Sequence, residues 1–330
     1  MEAFKVSVLI TFYNQENYVD KAIESVLKQK IDYPVQIILG DDGSSDHTLD
    51  KLKNWVKKYP DIFEIHIMKR EKKTQVSGFR ASRMRLELIK YVKGEYFIFL
   101  DGDDYFCDIE KLQKQVAILE NEQNKDCIAC AHNISALYPD GHEKYLSPPN
   151  IKEGKYDLKM YWAELYFHTD TLLMRSLIIN QIPQKLVENN YNDNMITFLA
   201  LQKGKIYYIP KVMAVYLQTG DGIWTSGKQS VNAIRNIFLY DLCRMINPTV
   251  NKETDIRFCQ SWNIIRQFCG CTDEVEMRPF EEEAKNKGFY YSLLWLQYNR
   301  CTFKNKIKLH VRLFSIRLHA FFYRIKRKLQ

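Results

Sequence analysis

Asp101, Asp103 and Asp104 place three carboxylates within four positions, at the end of the apolar run Tyr96-Phe97-Ile98-Phe99-Leu100. Two unit charges about 4 Å apart cost on the order of 4 kcal/mol at an effective dielectric of ~20. A bound divalent cation turns that repulsion into affinity. The cluster is therefore a candidate site for Mg2+ or Mn2+, hard cations that take few protein oxygens and complete their shell with phosphate oxygens. Two more acidic points stand elsewhere: Asp41-Asp42-Gly43-Ser44, and Asn192-Asp193. Each also fits a turn or a helix cap, because a short carboxylate accepts from backbone N–H groups left open there.

The run at 96–100 is bounded by Gly94 and by acids, and fits a strand buried on both faces. In open α/β sheets ligands bind beyond the carboxyl ends of such strands. Apolar runs at residues 6–10, 35–39 and 62–68 read as further strands. Helical spacing appears in Ala22, Ile23, Val26 and Leu27, capped by Asn14 or Asn17, in Leu49, Leu52, Trp55 and Val56, and over 80–92. A later helix carries Ile109, Leu112, Val116 and Leu119. Strands alternating with helices predict an α/β fold with a parallel sheet. Residues 138–149 read as a loop, 157–225 as a second half with its helix at Ile196, Leu199 and Ala200, and 226 onward as helical and increasingly basic.

The chain has 330 residues, 46% of them hydrophobic, enough for one large domain and an appendage. Its eight cysteines include only two close pairs, Cys127-x-x-Cys130 and Cys269-x-Cys271, and read as thiols in a reducing compartment. No leader-like segment and no apolar stretch of about 18 residues is evident, so a cytoplasmic location is expected. The formal charge is +8, but residues 302–330 hold nine Lys or Arg and no acid, and removing those nine charges leaves −1. A general polyanion-binding body, and nucleic acid as partner, are not indicated. Neither Gly-x-Gly-x-x-Gly nor Gly-x-x-x-x-Gly-Lys-Ser/Thr occurs, so a nucleotide here needs a cation in place of a glycine cradle.

Four strings carry a resemblance: VSVLITFYNQENYVDKAIESVL, QIILGDDGSSDHT, GEYFIFLDGDD and YNDNMITFLALQKGKIYYIPKVMAVYLQTGDGIWTSG. Over roughly residues 5–227 the chain resembles family 2 glycosyltransferases of the GT-A fold. The likeness implies a GT-A nucleotide-binding sheet flanked by helices, with a nucleotide-binding half at about 1–107 and an acceptor half at about 108–225. A helical, basic C-terminal extension, 226–330, follows. It also implies that Thr11 and Tyr13 line the nucleotide pocket, and that Asp42 accepts from the base, with the N3–H of uracil as the expected donor. Arg83 falls where the family has a nucleotide-facing Arg, with Met84 replacing the usual Asn and Arg80 as a rival. Asp101 is placed near the ribose and Asp103 on the metal, with Asp104 either a second ligand or a cap. Asp193 matches the catalytic base, preceded by Asn192 where the family has Glu, and Trp224 is placed near a sugar ring.

What the resemblance implies is an inverting, metal-dependent transfer of one sugar from a nucleotide donor, expected to be UDP-linked. The acceptor would be a glycan or lipid-linked molecule in surface polysaccharide or glycolipid synthesis. A processive synthase would show Gln-x-x-Arg-Trp, whereas Gln297-Tyr298-Asn299-Arg300 is followed by Cys301. Phosphoryl transfer of the haloacid-dehalogenase type wants Thr or Val where Tyr105 stands. A non-catalytic, membrane-associated scaffold rests only on Met84 and Asn192. In the tail, Phe314, Leu318, Phe321, Ile325 and Leu329 share a helical face, interrupted by Leu313 and Ile316. A basic helix of this kind can lie on the cytoplasmic face of an anionic membrane.

Overall fold

The structure, a computed structural model, describes residues 3–70, 76–147, 151–160, 167–220, 229–265, 274–300, 310–311 and 313–322. The chain forms two compact units, Met1–Asp221 and Gly222–Gln330. In the first, strands β1 (Val6–Phe12), β2 (Val35–Asp41), β3 (Phe63–Ile67) and β4 (Tyr96–Asp101) run parallel in the order β3-β2-β1-β4. β4 is buried from Tyr96 to Leu100, and β1 is buried apart from Thr11, because both lie inside the sheet. Helices α1 (Val19–Leu27), α2 (Thr48–Lys58), α3 (Ser77–Leu88) and α4 (Lys111–Glu120) lie between or after these strands in the chain. α1 buries Val19, Ala22, Ile23 and Val26, a stripe at helical spacing, and each of the three larger side chains stabilises the fold by roughly 1.5–3 kcal/mol.

The sheet continues through strands of mixed direction. β5 (Tyr105–Phe106), β6 (Cys127–Leu137), β7 (Glu143–Tyr145), β8 (Gly154–Tyr156), β9 (Leu173–Arg175) and β10 (Lys205–Leu217) complete ten strands, in the order β4-β9-β6-β10-β5 with β7 on β6 and β8 on β10. β9 is antiparallel to both β4 and β6. This reversal brings the residues just before β9 to the carboxyl end of β4, where the acidic cluster begins. β10 shifts register around Pro210, which lacks the N–H that a ladder needs. After β9, helix α5 (Asp193–Leu201) is capped by Asn192, whose side chain accepts from the Met195 N–H at 3.2 Å.

Some expectations change. Neither Asn14 nor Asn17 caps α1, whose N-cap is Tyr18. Asn14, with φ of 50°, instead ties the end of β1 to the loop after β2: its N–H donates to Ser44 Oγ and its Oδ1 accepts from the Ser45 N–H. Part of the expected loop at 138–149 is strand β7, and the long strands β6 and β10 escaped the sequence reading. Cys107, Cys127, Cys130, Cys243 and Cys259 are free thiols.

The second unit contains α6 (Gln229–Ile246), α7 (Asn251–Ile265), α8 (Glu274–Lys287) and α9 (Tyr290–Arg300). Phe238 packs on Phe280 and Phe289, and Phe258 stacks on Tyr291. The Asp241 carboxylate accepts from the Tyr291 and Ser292 N–H groups, both at 2.8 Å, and so anchors the start of α9. In the helical segment 313–322, Leu313, Ile316 and Ala320 are the buried side, while Phe314, Leu318, Phe321 and Phe322 face solvent. The two residues that seemed to interrupt the tail's apolar face thus form the inward one. Among the described residues no helix is long and apolar enough to cross a membrane.

Candidate active site

Asp101 closes β4, and the chain then turns, with the Asp104 N–H donating to the Asp101 carbonyl at 2.9 Å. Gly102 makes the turn fit. A Cβ there would stand 2.2 Å from Phe12 Cδ1, so any side chain would push the turn off the end of β1. Asp104 is 1% exposed; its Oδ1 accepts from the Leu217 N–H at 2.8 Å, while its Oδ2 has no hydrogen-bond partner. Asp104 therefore ties the turn to the end of β10 and does not cap a helix. Asp170, fully buried in the turn Thr169–Thr171 before β9, accepts from the Asp101 N–H at 3.1 Å through Oδ1, and its Oδ2 is likewise without a hydrogen bond.

Ligand atoms of Asp101, Asp104 and His168 lie within 4.8 Å of one another, close enough to hold one metal ion. His168 Nδ1 is 3.3 Å from Asp170 Oδ2 and its Nε2 is 3.9 Å from Asp193 Oδ2. The charges shape one another. Burial, with Asp101 next, pushes the Asp103 carboxyl up to about 7. Burial and the neighbouring Asp170 and Asp103 charges raise Asp104 well above the carboxylate range. Burial acts against the imidazolium of His168, but Asp170 and Asp193 outweigh it and raise the ring to about 9. Five acids, Asp101, Asp103, Asp104, Asp170 and Asp193, thus crowd around two cationic groups, His168 and Arg85. The acids outnumber the cationic groups, and Asp104 Oδ2 accepts from no donor among the described residues, a setting that fits a hard divalent cation.

Arg85, near the end of α3, joins the acidic turn to Asp193. Its Nη2 donates to both Asp101 oxygens at 2.7 and 2.9 Å, and its Nη1 is 3.8 Å from Asp193 Oδ1. Burial opposes the guanidinium charge, but Asp101 and Asp193 more than offset that and raise its pKa. Thr169 Oγ1 donates to Asp193 Oδ1 at 3.2 Å, and Thr11 Oγ1 to Asp101 Oδ1 at 3.4 Å. Asp193 is the first residue of α5, and Asn192 supplies the cap.

At the ends of β1 and β2 the two neighbouring aspartates divide the work. Asp41 Oδ2 accepts from the Gly43 and Ser44 N–H groups at 3.1 Å and forms the turn. Asp42 is paired with buried Arg80 through Oδ1 and with Arg70 through Oδ2. Tyr13, 40% exposed, lies under the Arg70 guanidinium. Arg83 donates to Asn189 Oδ1 at 2.8 Å and, among the described residues, not to the acidic cluster. Met84 is a packing residue: a Cβ on Gly40 would meet its Sδ at 2.7 Å. Trp224 lies outside the described residues.

The sequence alone named Thr11, Tyr13, Asp42, Arg83, Asp101, Asp103, Asp104, Asp193 and Trp224, and did not single out Arg70, Arg85, His168, Thr169 or Asp170, which lie beside the acidic turn or Asp42. The available signal was the polar string His168-Thr169-Asp170-Thr171 directly before the apolar Leu172-Leu173-Met174. Recognising that segment as antiparallel to β4 would have put Asp170 beside Asp101.

The description "Glycosyl transferase family 2" matches residues 7–181. Among solved structures the chain is similar to S. aureus TarS 1-349 in complex with UDP, with TM-score 0.60 and 18% identity over 99% of this chain and 92% of that one. It is also similar to the mannosyltransferase PcManGT from Pyrobaculum calidifontis in complex with GDP-Man and Mn2+, with TM-score 0.52 and 11% identity over 97% and 88%. These likenesses show the GT-A fold. Among curated relatives, an uncharacterized Mycobacterium tuberculosis protein is 26% identical over 222 residues, 67% of this chain and 61% of that protein. The poly(ribitol-phosphate) beta-glucosyltransferase of Bacillus spizizenii is 38% identical over 104 residues, 31% of this chain and 15% of that protein. The chain therefore spans about three-fifths of the length of the mycobacterial relative, and the match to residues 7–181, more than half of its own length, makes it a member of glycosyl transferase family 2.

Proposed function

We propose that this chain is an inverting glycosyltransferase that moves one sugar from a nucleotide-sugar donor to a hydroxyl of a glycan or lipid-linked acceptor. The observation that carries the reading is the buried Arg85, whose guanidinium spans Asp101 on the acidic turn and Asp193 at the start of α5. One group thereby sets the distance between the side that meets the leaving diphosphate and the side that meets the acceptor. Asp193 takes the proton from the acceptor hydroxyl as that oxygen bonds the anomeric carbon. The bond from that carbon to the diphosphate oxygen breaks from the opposite face, and its electron pair leaves with the nucleoside diphosphate. A single displacement of this kind inverts configuration.

Asp101, Asp104 and His168, with Asp103 beside them, would hold Mn2+ or Mg2+, with His168 giving up its proton to ligate; when bound, such an ion supplies Lewis-acid stabilisation of the departing diphosphate. Asp42 supports a donor base with an N–H on its pairing edge, since a carboxylate only accepts. Uracil meets that requirement, and the binding of UDP by TarS is consistent with it. Asp193→Asn tests the assignment. UDP binding in Mn2+, measured by calorimetry, should stay within about threefold, while transfer should fall by on the order of 10²–10⁴, the range for loss of a general base. Transfer by this variant at the wild-type rate would remove Asp193 from the role. The exposed Phe314, Leu318, Phe321 and Phe322, in a tail without acids, support contact with an anionic membrane surface.

A further inference from the structure

Every polar atom of Asp42 already has a partner. Oδ1 meets Arg80, Oδ2 accepts from Arg70 Nη2 at 3.2 Å, the carbonyl accepts from Arg70 Nε at 2.9 Å, and the N–H donates to the Phe12 carbonyl. The two arginines differ in how they are held. Arg80 is 5% exposed and also donates to the Met68 and Lys69 carbonyls, so it belongs to the floor of the site. The Arg70 side chain is 33% exposed. Its guanidinium carbon stands 3.5 Å from the centre of the Tyr13 ring, a stacking distance for two flat groups. Gly43, at φ of +73°, admits this approach, because a Cβ there would lie 3.0 Å from Arg70 Cγ.

A planar group stacked on Tyr13 with N–H donors aimed at Asp42 is also a description of a uracil or guanine base bound in the same corner. Both present a flat face and a ring N–H on one edge, whereas cytosine and adenine present a ring acceptor there. We propose that Arg70 occupies the nucleobase subsite of the donor-free protein, and that the donor base enters by displacing its guanidinium from Tyr13 and from Asp42 Oδ2. The inference rests on the nucleotide-sugar reading above. Arg70 then sets the apparent donor affinity through competition: the fraction of molecules with Arg70 turned out is the fraction able to accept a base. Arg80 stays on Oδ1 throughout and holds the carboxylate in its acceptor state.

The experiment measures binding of UDP, GDP and inorganic diphosphate, each with Mn2+, by calorimetry to the full-length protein and to Arg70→Ala and Arg70→Lys. With Arg70→Ala, the nucleotide that the wild type prefers should bind at least fivefold tighter, and inorganic diphosphate should change by less than twofold. Arg70→Lys keeps the charge but loses the flat stacked face, and should fall between wild type and Arg70→Ala. Weaker nucleotide binding by Arg70→Ala would overturn the proposal, because Arg70 would then be holding the base. An equal change for nucleotide and inorganic diphosphate would also overturn it, because Arg70 would be acting on the phosphates. If neither nucleotide bound the wild type or either variant, the donor reading itself would fall, a result distinct from both of these.

Discussion

Arg85→Met should be the most damaging single substitution among the residues of the acidic site. The side chain is nearly isosteric but leaves Asp101 and Asp193 without their shared cation. At an effective dielectric of ~20, a pair 3.8 Å apart is worth about 4 kcal/mol and one 2.7 Å apart about 6 kcal/mol, before desolvation is subtracted. Burying the guanidinium takes back much of that sum, and removing one partner of a buried pair typically costs about 3–5 kcal/mol. Against a total stability of ~5–15 kcal/mol, the unit holding the site should remain folded with a sharply reduced margin. Urea denaturation at pH 7.5, followed by intrinsic fluorescence, should show the midpoint falling with the slope unchanged. Arg85→Lys should recover part of the loss, since it restores charge without the two-pronged geometry. A loss under about 1 kcal/mol in the methionine variant, below the usual range for a broken buried pair, would refute the reasoning.

His168→Gln and Asp104→Asn should each weaken Mn2+ binding about tenfold or more, read from the free-ion electron paramagnetic signal; unchanged binding would take both residues out of the cation set. Lys111 is fully buried, donates to Gln115 Oε1 at 2.8 Å, and is lowered to about 7 mainly by burial. Between pH 7 and about 10 the unfolded amine is protonated while the folded one is neutral, so this group makes the protein more stable as pH rises, by about 1.4 kcal/mol per unit. Lys111→Met should remove that slope, which denaturation at pH 7.5 and 9.5 would show directly. Phe314→Glu with Phe321→Glu should reduce flotation with vesicles of 30% anionic lipid to about a third or less, each added charge working against the insertion of an apolar face; undiminished flotation would exclude this face as the contact.

The parallel half of the fold was legible because its strands are short apolar runs that end in acids, and because its helices carry one-sided stripes. The later half was not. β6 contains Ala129, Cys130, Ala131 and His132, small or polar residues that a hydropathy pattern does not mark as strand, although all are buried. β10 contains Pro210, which argues against a strand until the register shift around it is seen. At the site, Asp101, Asp103, Asp104 and Asp193 were legible as clustered or matched acids. Arg85 and Asp170 were not, because their importance comes from an antiparallel strand and a helix face that bring distant positions together. Arg83 was named from its place in a pattern, and the geometry turns it toward Asn189.

Gly102 has a consequence for how this turn can vary. With 2.2 Å between its virtual Cβ and the Phe12 ring, the turn's position is set by contact with the side chain that ends β1. A tolerated alanine at 102 would therefore require a smaller residue at 12, so the two positions are free to change only together. The acidic turn and the strand that leads to Tyr13 behave as one casting: a change in the shape of the turn reaches the end of β1 through a single aromatic ring.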